Sequence, residues 1–111
     1  MSKIYVGNSF SLNMVHRRSC KIHIEEIGIN EAKGLLRDKE FTSCVGHEST
    51  AELVSSLLGI EVRANRIPIT LEVGDTLVVF QITSRLPEGK ILSLEELKNL
   101  QYRIVKVEVI E

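Results

Sequence analysis

Apolar and polar residues alternate in several short stretches of this chain, which is the pattern of β-strands that bury one face. Residues 76–84 differ, because their apolar run is almost unbroken and predicts a strand covered on both faces. The other stretches that predict strands are residues 3–7, 20–25, 41–45, 66–73 and 105–109. Gly74-Asp75 predicts a two-residue turn, so residues 66–73 and 76–84 are expected to form a hairpin.

Three other stretches space their apolar residues as a helix does. The clearest one follows Gly46 and stops at Gly59, a residue typical of helix C-termini. Ser49 and Glu52 have the spacing of a capping box, in which the Glu52 side chain reaches back to the Ser49 amide. The remaining helices are predicted over residues 30–37, capped by Asn30, and over residues 93–100, which open on a second capping box.

Strands and helices in this order predict an α/β fold. We expect a mixed β-sheet of about five to six strands with flanking helices, in a single small domain that spans residues 1–111.

Composition and charge narrow the range of partners. The formal net charge is −1, so the broad basic surface that duplex nucleic acid requires is not expected. No apolar stretch is long enough to cross a membrane, and the amino terminus lacks the pattern of a signal peptide. The two cysteines have no repeated spacing, which fits a reducing compartment, and we therefore expect a cytoplasmic protein.

Polar residues gather after the carboxyl ends of three predicted strands, in residues 8–13, 47–50 and 85–88. Ligands of open α/β sheets bind at such ends, and the three clusters would meet if the strands were parallel neighbours. His47 precedes a helix N-terminus, where an anion is favoured. A histidine can protonate a leaving oxygen, an arginine can hold a phosphate and a carboxylate can orient the histidine, which suits phosphodiester cleavage.

Each of these features also has a simpler interpretation. His47 could be a solvated loop residue, and the residues of the first cluster could serve only turn chemistry. Gln81 is unusual inside an apolar strand, where a buried amide needs partners that are supplied either by a ligand or by the protein itself.

A zinc site is a further alternative. Cys20 with His23, and Cys44 with His47, are two Cys-x-x-His pairs that could together complete a tetrahedral site. Residues three apart on a strand point to opposite faces, so Cys20 and His23 are not expected to share a metal. We therefore expect no metal.

Four motifs in this order and spacing resemble a known family. They are Asn8-x-Phe10-Ser11-x-Asn13-Met14, Gly46-His47-x-Ser49-Thr50, Asn65-Arg66, and Gln81-x-x-x-Arg85-Leu86-x-Glu88-Gly89-Lys90. The sequence resembles the anti-CRISPR ring nucleases of archaeal viruses and bacteriophages over residues 3–94. That family destroys cyclic tetra-adenylate, the second messenger of type III CRISPR defence.

The resemblance implies a homodimer with the ring across its two-fold axis, and cleavage without metal or cofactor. A ribose 2′-hydroxyl would attack the adjacent phosphorus and give linear di-adenylates that end in a cyclic phosphate. By motif match, His47 would be the general acid, Arg85 would stabilise the transition state and Glu88 would orient His47. The residues that would hold the ring are Asn8, Ser11, Asn13, Ser49, Thr50, Arg66 and Gln81.

Charge is compatible with this reading, because a dimer presents Arg66 and Arg85 twice and so faces the four phosphodiesters of the ring with four cations. Two other functions stay open. One is a protein that sequesters a cyclic nucleotide without cutting it, and the other is a small viral regulator whose polar clusters are ordinary loops.

Overall fold

The computed structural model describes residues 3–16, 18–37, 39–83 and 101–111. Within these residues the strands are β1 (Ile4–Gly7), β2 (Ile22–Glu26), β3 (Thr42–Ser43), β4 (Thr76–Ile82) and β5 (Tyr102–Val109). The helices are α1 (Ile29–Leu36) and α2 (Glu48–Leu58), and a 3₁₀ turn (Leu12–Met14) follows β1. The helix predicted over residues 93–100 lies outside the described residues.

The strands form one mixed sheet in the order β2-β5-β4-β1-β3. Strand β1 pairs in parallel with both β3 and β4, whereas β5 is antiparallel to β2 and β4. The predicted α/β class with a mixed sheet is therefore confirmed, with five strands in the described part of the chain. The three parallel neighbours end at the same side of the sheet, and this arrangement positions the candidate site.

The two faces of the sheet are covered differently. Helices α1 and α2 pack on one face, where Val78 and Phe80 of β4 are at most 1% exposed. On the other face, Leu77 and Val79 contact residues of the 3₁₀ turn region and of the segment after α2. The apolar run of β4 is thus buried on both sides, as its sequence predicts.

The predicted strand over residues 66–73 is not formed, and the expected hairpin is wrong. Strands β1 and β5 occupy both sides of β4, so no hydrogen-bonding edge remains there for a hairpin partner. The segment instead crosses the face opposite the helices, where the Leu71 N–H donates to the carbonyl of Met14 at 2.7 Å. Its alternating pattern reflects burial on one side, since Ile69 and Leu71 are buried whereas Thr70 between them is exposed.

Two smaller predictions also need correction. Helix α1 begins at Ile29 with Gly28 as its N-cap, so Asn30 lies inside the first turn and does not cap it. The turn at Gly74 is present, with a φ of 94° at that residue, but it connects a crossing segment to β4 and does not close a hairpin. No helix among the described residues is both long and apolar enough to span a bilayer.

Candidate functional site

A pocket of about 270 Å³ lies where the carboxyl ends of β1 and β4 meet the N-terminus of α2. The residues that line it are Asn8, Ser9, His47, Thr50, Gln81 and Ile82. Asn8 directly follows β1, and His47 lies four residues after the end of β3. Gln81 is the second-to-last residue of β4. The predicted meeting of the first two polar clusters is therefore confirmed, because the strands that carry them are parallel neighbours.

His47 occupies the N-cap position of α2, with φ −133° and ψ 133°. Its carbonyl accepts the first helical hydrogen bond, from the Ala51 N–H at 3.0 Å, but its imidazole makes no capping bond. The side chain is exposed. The first-turn amides of α2 have no acceptor within the helix, and together with the helix dipole they favour an anion beside His47.

The predicted capping box at Ser49 and Glu52 is wrong. Helix α2 begins at Glu48, so both residues lie within the helix and not at its cap. The predicted C-terminal stop is confirmed, since Gly59 caps the helix in the left-handed region with a φ of 66°. Ser49 lies two residues after the true N-cap, so the capping-box spacing falls inside the first turn of the helix.

The peptide that leads into His47 is held by its neighbour β1. The Cys44 N–H donates to the carbonyl of Val6 at 2.7 Å, which extends the parallel pairing beyond the end of β3. The Gly46 N–H then donates to Oδ1 of Asn8 at 3.1 Å. Asn8 therefore uses its oxygen to fix the backbone before His47, and its amide NH₂ group is left to donate elsewhere.

The stem of Arg66 also lies close to this peptide. A β-carbon built on Gly46 would lie 3.7 Å from Cγ of Arg66 and 3.8 Å from Oδ1 of Asn8, so the arginine stem runs past Gly46. The side chain of Arg66 is exposed and has no carboxylate partner among the described residues. Within the described part of the chain, no carboxylate therefore competes with an anion for this cation beside Gly46.

The other predicted site residues have different surroundings. Gln81 is exposed at the pocket, not buried within the sheet, so it needs no internal partner. Ser11 caps the 3₁₀ turn by accepting from the Asn13 N–H at 3.2 Å, which favours turn chemistry for these two residues. Neither they nor Ser49 line the pocket, whereas the buried Thr50 does. Arg85 and Glu88 lie outside the described residues.

Sequence reasoning did not select Ser9, Ile82 or Asn65. Ser9 lies within the predicted polar cluster of residues 8–13, whereas the only signal for Ile82 was that it adjoins Gln81. Asn65 belongs to a motif of the resemblance, but its hydrogen bonds to the carbonyls of Ser43 and Val45 become visible only in the fold.

The geometry does not support the alternative zinc site. Cys20 and His23 belong to the β2 side of the sheet, and Cys44 and His47 to the β3 side. These are the two outer strands, separated by four strand spacings of about 4.8 Å each, or ~19 Å. The two Cys-x-x-His pairs therefore cannot complete one tetrahedral site.

Comparison with known proteins places the chain among viral proteins. A family model described as STIV B116-like matches residues 4–104. The chain belongs to the STIV B116-like family. Among solved structures, B116 of Sulfolobus turreted icosahedral virus aligns with a TM-score of 0.81 and 29% identity, covering 96% of this chain and 99% of that one.

Relatives of this family occur in viruses of archaea and also in a bacterium. Protein 26 of Sulfolobus islandicus filamentous virus is 39% identical over 108 residues, which cover 96% of this chain and 92% of the relative. YddF of Bacillus subtilis is 31% identical over 81 residues, which cover 71% of this chain and 75% of the relative. The match to proteins of archaeal viruses supports a viral origin for this chain.

Proposed function

We propose that this protein is a metal-independent ring nuclease that cleaves cyclic tetra-adenylate to linear di-adenylates. As a viral anti-CRISPR protein in the host cytoplasm, it would thereby shut off type III CRISPR signalling. The observation that supports the proposal best is the meeting of His47, Asn8 and Gln81 in one pocket at the N-terminus of α2. This arrangement combines a proton donor with groups that favour a phosphodiester.

In the proposed reaction, a ribose 2′-hydroxyl loses its proton to solvent water and its oxygen attacks the adjacent phosphorus. The bond from phosphorus to the 5′-oxygen of the next nucleotide breaks. The protonated imidazole of His47 gives its proton to that leaving oxygen, so the products are a cyclic phosphate and a free 5′-hydroxyl. By resemblance, Arg85 stabilises the charge that develops on the phosphoryl oxygens and Glu88 orients His47.

Ground-state binding of the ring is assigned to groups around His47. The first-turn amides of α2 favour the phosphates, as does the guanidinium of Arg66, which has no carboxylate partner among the described residues. Asn8 donates from its NH₂ group while its oxygen holds Gly46. Gln81 and Thr50 line the pocket, and Ser11, Asn13 and Ser49 are carried over from the resemblance.

The size of the pocket supports a homodimer as the active form. At about 270 Å³ it is near the lower limit of small-molecule pockets, roughly 300–1,000 Å³, whereas the ring contains four nucleotides. Two pockets related by a two-fold axis would accommodate opposite phosphodiesters of the ring. Light scattering at micromolar concentration should therefore give the mass of a dimer, and an active monomer would contradict this part of the proposal.

The decisive experiment incubates the purified protein with cyclic tetra-adenylate in EDTA and separates the products by chromatography. The expected products are linear di-adenylates that carry a cyclic phosphate. A ring that is bound but recovered intact would indicate a sequestering protein. A ring that is neither bound nor cut would leave the polar clusters as ordinary loops of a viral regulator.

A further inference from the structure

Arg66 lies in a long segment without regular secondary structure, yet its position beside Gly46 is defined. The segment between α2 and β4 contains no helix or strand, and Arg66 itself is exposed. An exposed arginine in such a segment loses considerable rotamer and backbone freedom when it is held in one place. Hydrogen bonds of the neighbouring residue provide the restraint.

Asn65 makes three hydrogen bonds around Arg66. Its N–H donates to the carbonyl of Val45 at 2.7 Å, and its side-chain Nδ2 donates to the carbonyl of Ser43 at 2.8 Å. Its own carbonyl accepts from the Ile67 N–H at 3.0 Å. The last bond joins residues two apart, so Arg66 is the central residue of a three-residue turn.

The two carbonyls that Asn65 binds belong to Ser43, the last residue of β3, and to Val45, two residues beyond it. Residue Cys44, between them, directs its N–H to β1 on the inner side. Asn65 therefore connects the Arg66 turn to the same peptide that leads from β3 to His47. A second link supports it, since Oγ of Ser43 donates to the carbonyl of Arg63 at 2.6 Å.

The side-chain bond from Asn65 to Ser43 needs a donor, which neither alanine nor aspartate supplies. Alanine has no donor, and aspartate would present an oxygen to the Ser43 carbonyl, which is itself an acceptor. In both variants the backbone bond to Val45 is unaffected. The side-chain bond is thus the part of the link that a single substitution removes without changing the backbone.

We propose that Asn65 is a positioning residue for the proposed ring site, which holds the cation Arg66 beside Gly46, the residue that precedes His47. This inference rests on the proposed function, because the ligand that Arg66 meets is the phosphodiester of the ring. Asn65 itself need not touch the ring. Its contribution to affinity should therefore exist only while Arg66 is present.

The test is a double-mutant cycle for ring affinity, carried out in a His47→Ala background so that the ring is not consumed. Asn65→Ala should weaken affinity about fivefold, the equivalent of the ~1 kcal/mol net value of one hydrogen bond. Arg66→Ala should weaken it at least as much. The double variant should bind like Arg66→Ala alone, because a positioning residue has no effect once its target is absent.

Three further measurements separate positioning from a general loss of structure. In the protein with His47 intact, Asn65→Ala should leave the single-turnover rate at saturating ring unchanged, since only binding is affected. Asn65→Asp should weaken affinity at least as much as Asn65→Ala. The control Asn30→Ala, which changes an exposed asparagine on α1, should leave affinity and melting temperature unchanged.

The outcomes distinguish this inference from the proposed function. Unchanged affinity in Asn65→Ala, or losses that multiply in the double variant, would overturn the positioning role while the ring nuclease assignment stands. A lower saturating rate in Asn65→Ala would also overturn it, because Asn65 would then act in the chemical step. A parent protein that neither binds nor cuts the ring would overturn the proposed function together with this inference.

Discussion

Replacing His47 by asparagine should make the protein more stable and almost inactive. His47 is the N-cap of α2, but its imidazole makes no bond to the first-turn amides. Asparagine is among the preferred N-cap residues, and its side-chain oxygen can accept from the amide of Ser49 or Thr50. The backbone at His47 is already extended, with φ −133° and ψ 133°, so the cap requires no rearrangement.

The expected gain in stability follows from the new capping bond. A good N-cap contributes about 1 kcal/mol relative to a residue that makes no capping bond. Little packing is lost, because the His47 side chain is exposed. For a domain of this size, ~1 kcal/mol raises the melting temperature by roughly 4 °C.

The expected loss of activity follows from proton transfer. An asparagine amide cannot protonate the 5′-oxygen, and a positioned general acid contributes about a hundredfold to ten-thousandfold. Single-turnover cleavage of cyclic tetra-adenylate by His47→Asn in EDTA should fall by that range. Ring affinity should fall only a few-fold, because the new cap occupies one of the α2 amides whereas Asn8 and Arg66 are unchanged.

The measurement combines calorimetry, single-turnover kinetics and equilibrium binding of the ring. His16→Asn is the matched control. Because His16 is an exposed loop histidine, its replacement should leave the melting temperature, the cleavage rate and the ring affinity unchanged. Cleavage by His47→Asn at the original rate would refute the general-acid role. A lower melting temperature would refute the capping argument and would indicate that the imidazole stabilises the fold.

Three other predictions concern the packing at Gly7, the reactivity of the two cysteines and the role of Arg85. Gly7→Ala should lower stability by about 1–3 kcal/mol, because the new Cβ would lie 2.9 Å from Sγ of Cys44. Adding Cys44→Ala should restore part of that stability, and thermal denaturation of the single and the double variant measures the two effects. Burial raises the pKa of the Cys44 thiol, so at pH 8 a thiol reagent should modify the partly exposed Cys20 first, and equal rates would contradict this. Arg85→Ala should lower the cleavage rate by a larger factor than ring affinity, whereas equal losses would make Arg85 only a binding residue.

The residue pattern within a segment was sufficient to predict the elements that depend on neighbouring residues alone. Helix α2 follows from its apolar spacing and from Gly59, and both are properties of adjacent residues. The double burial of β4 follows from its unbroken apolar run. The position of His47 before a helix was also readable, although the exact N-cap was not, because Ser49 offers an equally plausible cap within the same turn.

Only the tertiary structure decided which segments meet. Residues 66–73 alternate as a strand does, but whether they pair depends on the edges of β4, and β1 and β5 already occupy both. The same parallel placement of β1 between β3 and β4 brings Asn8, His47 and Gln81 together. The order of strands in the sheet makes neighbours of residues that are far apart in the chain. The periodicity of a single sequence indicates which residues are buried, but not which strand pairs with which.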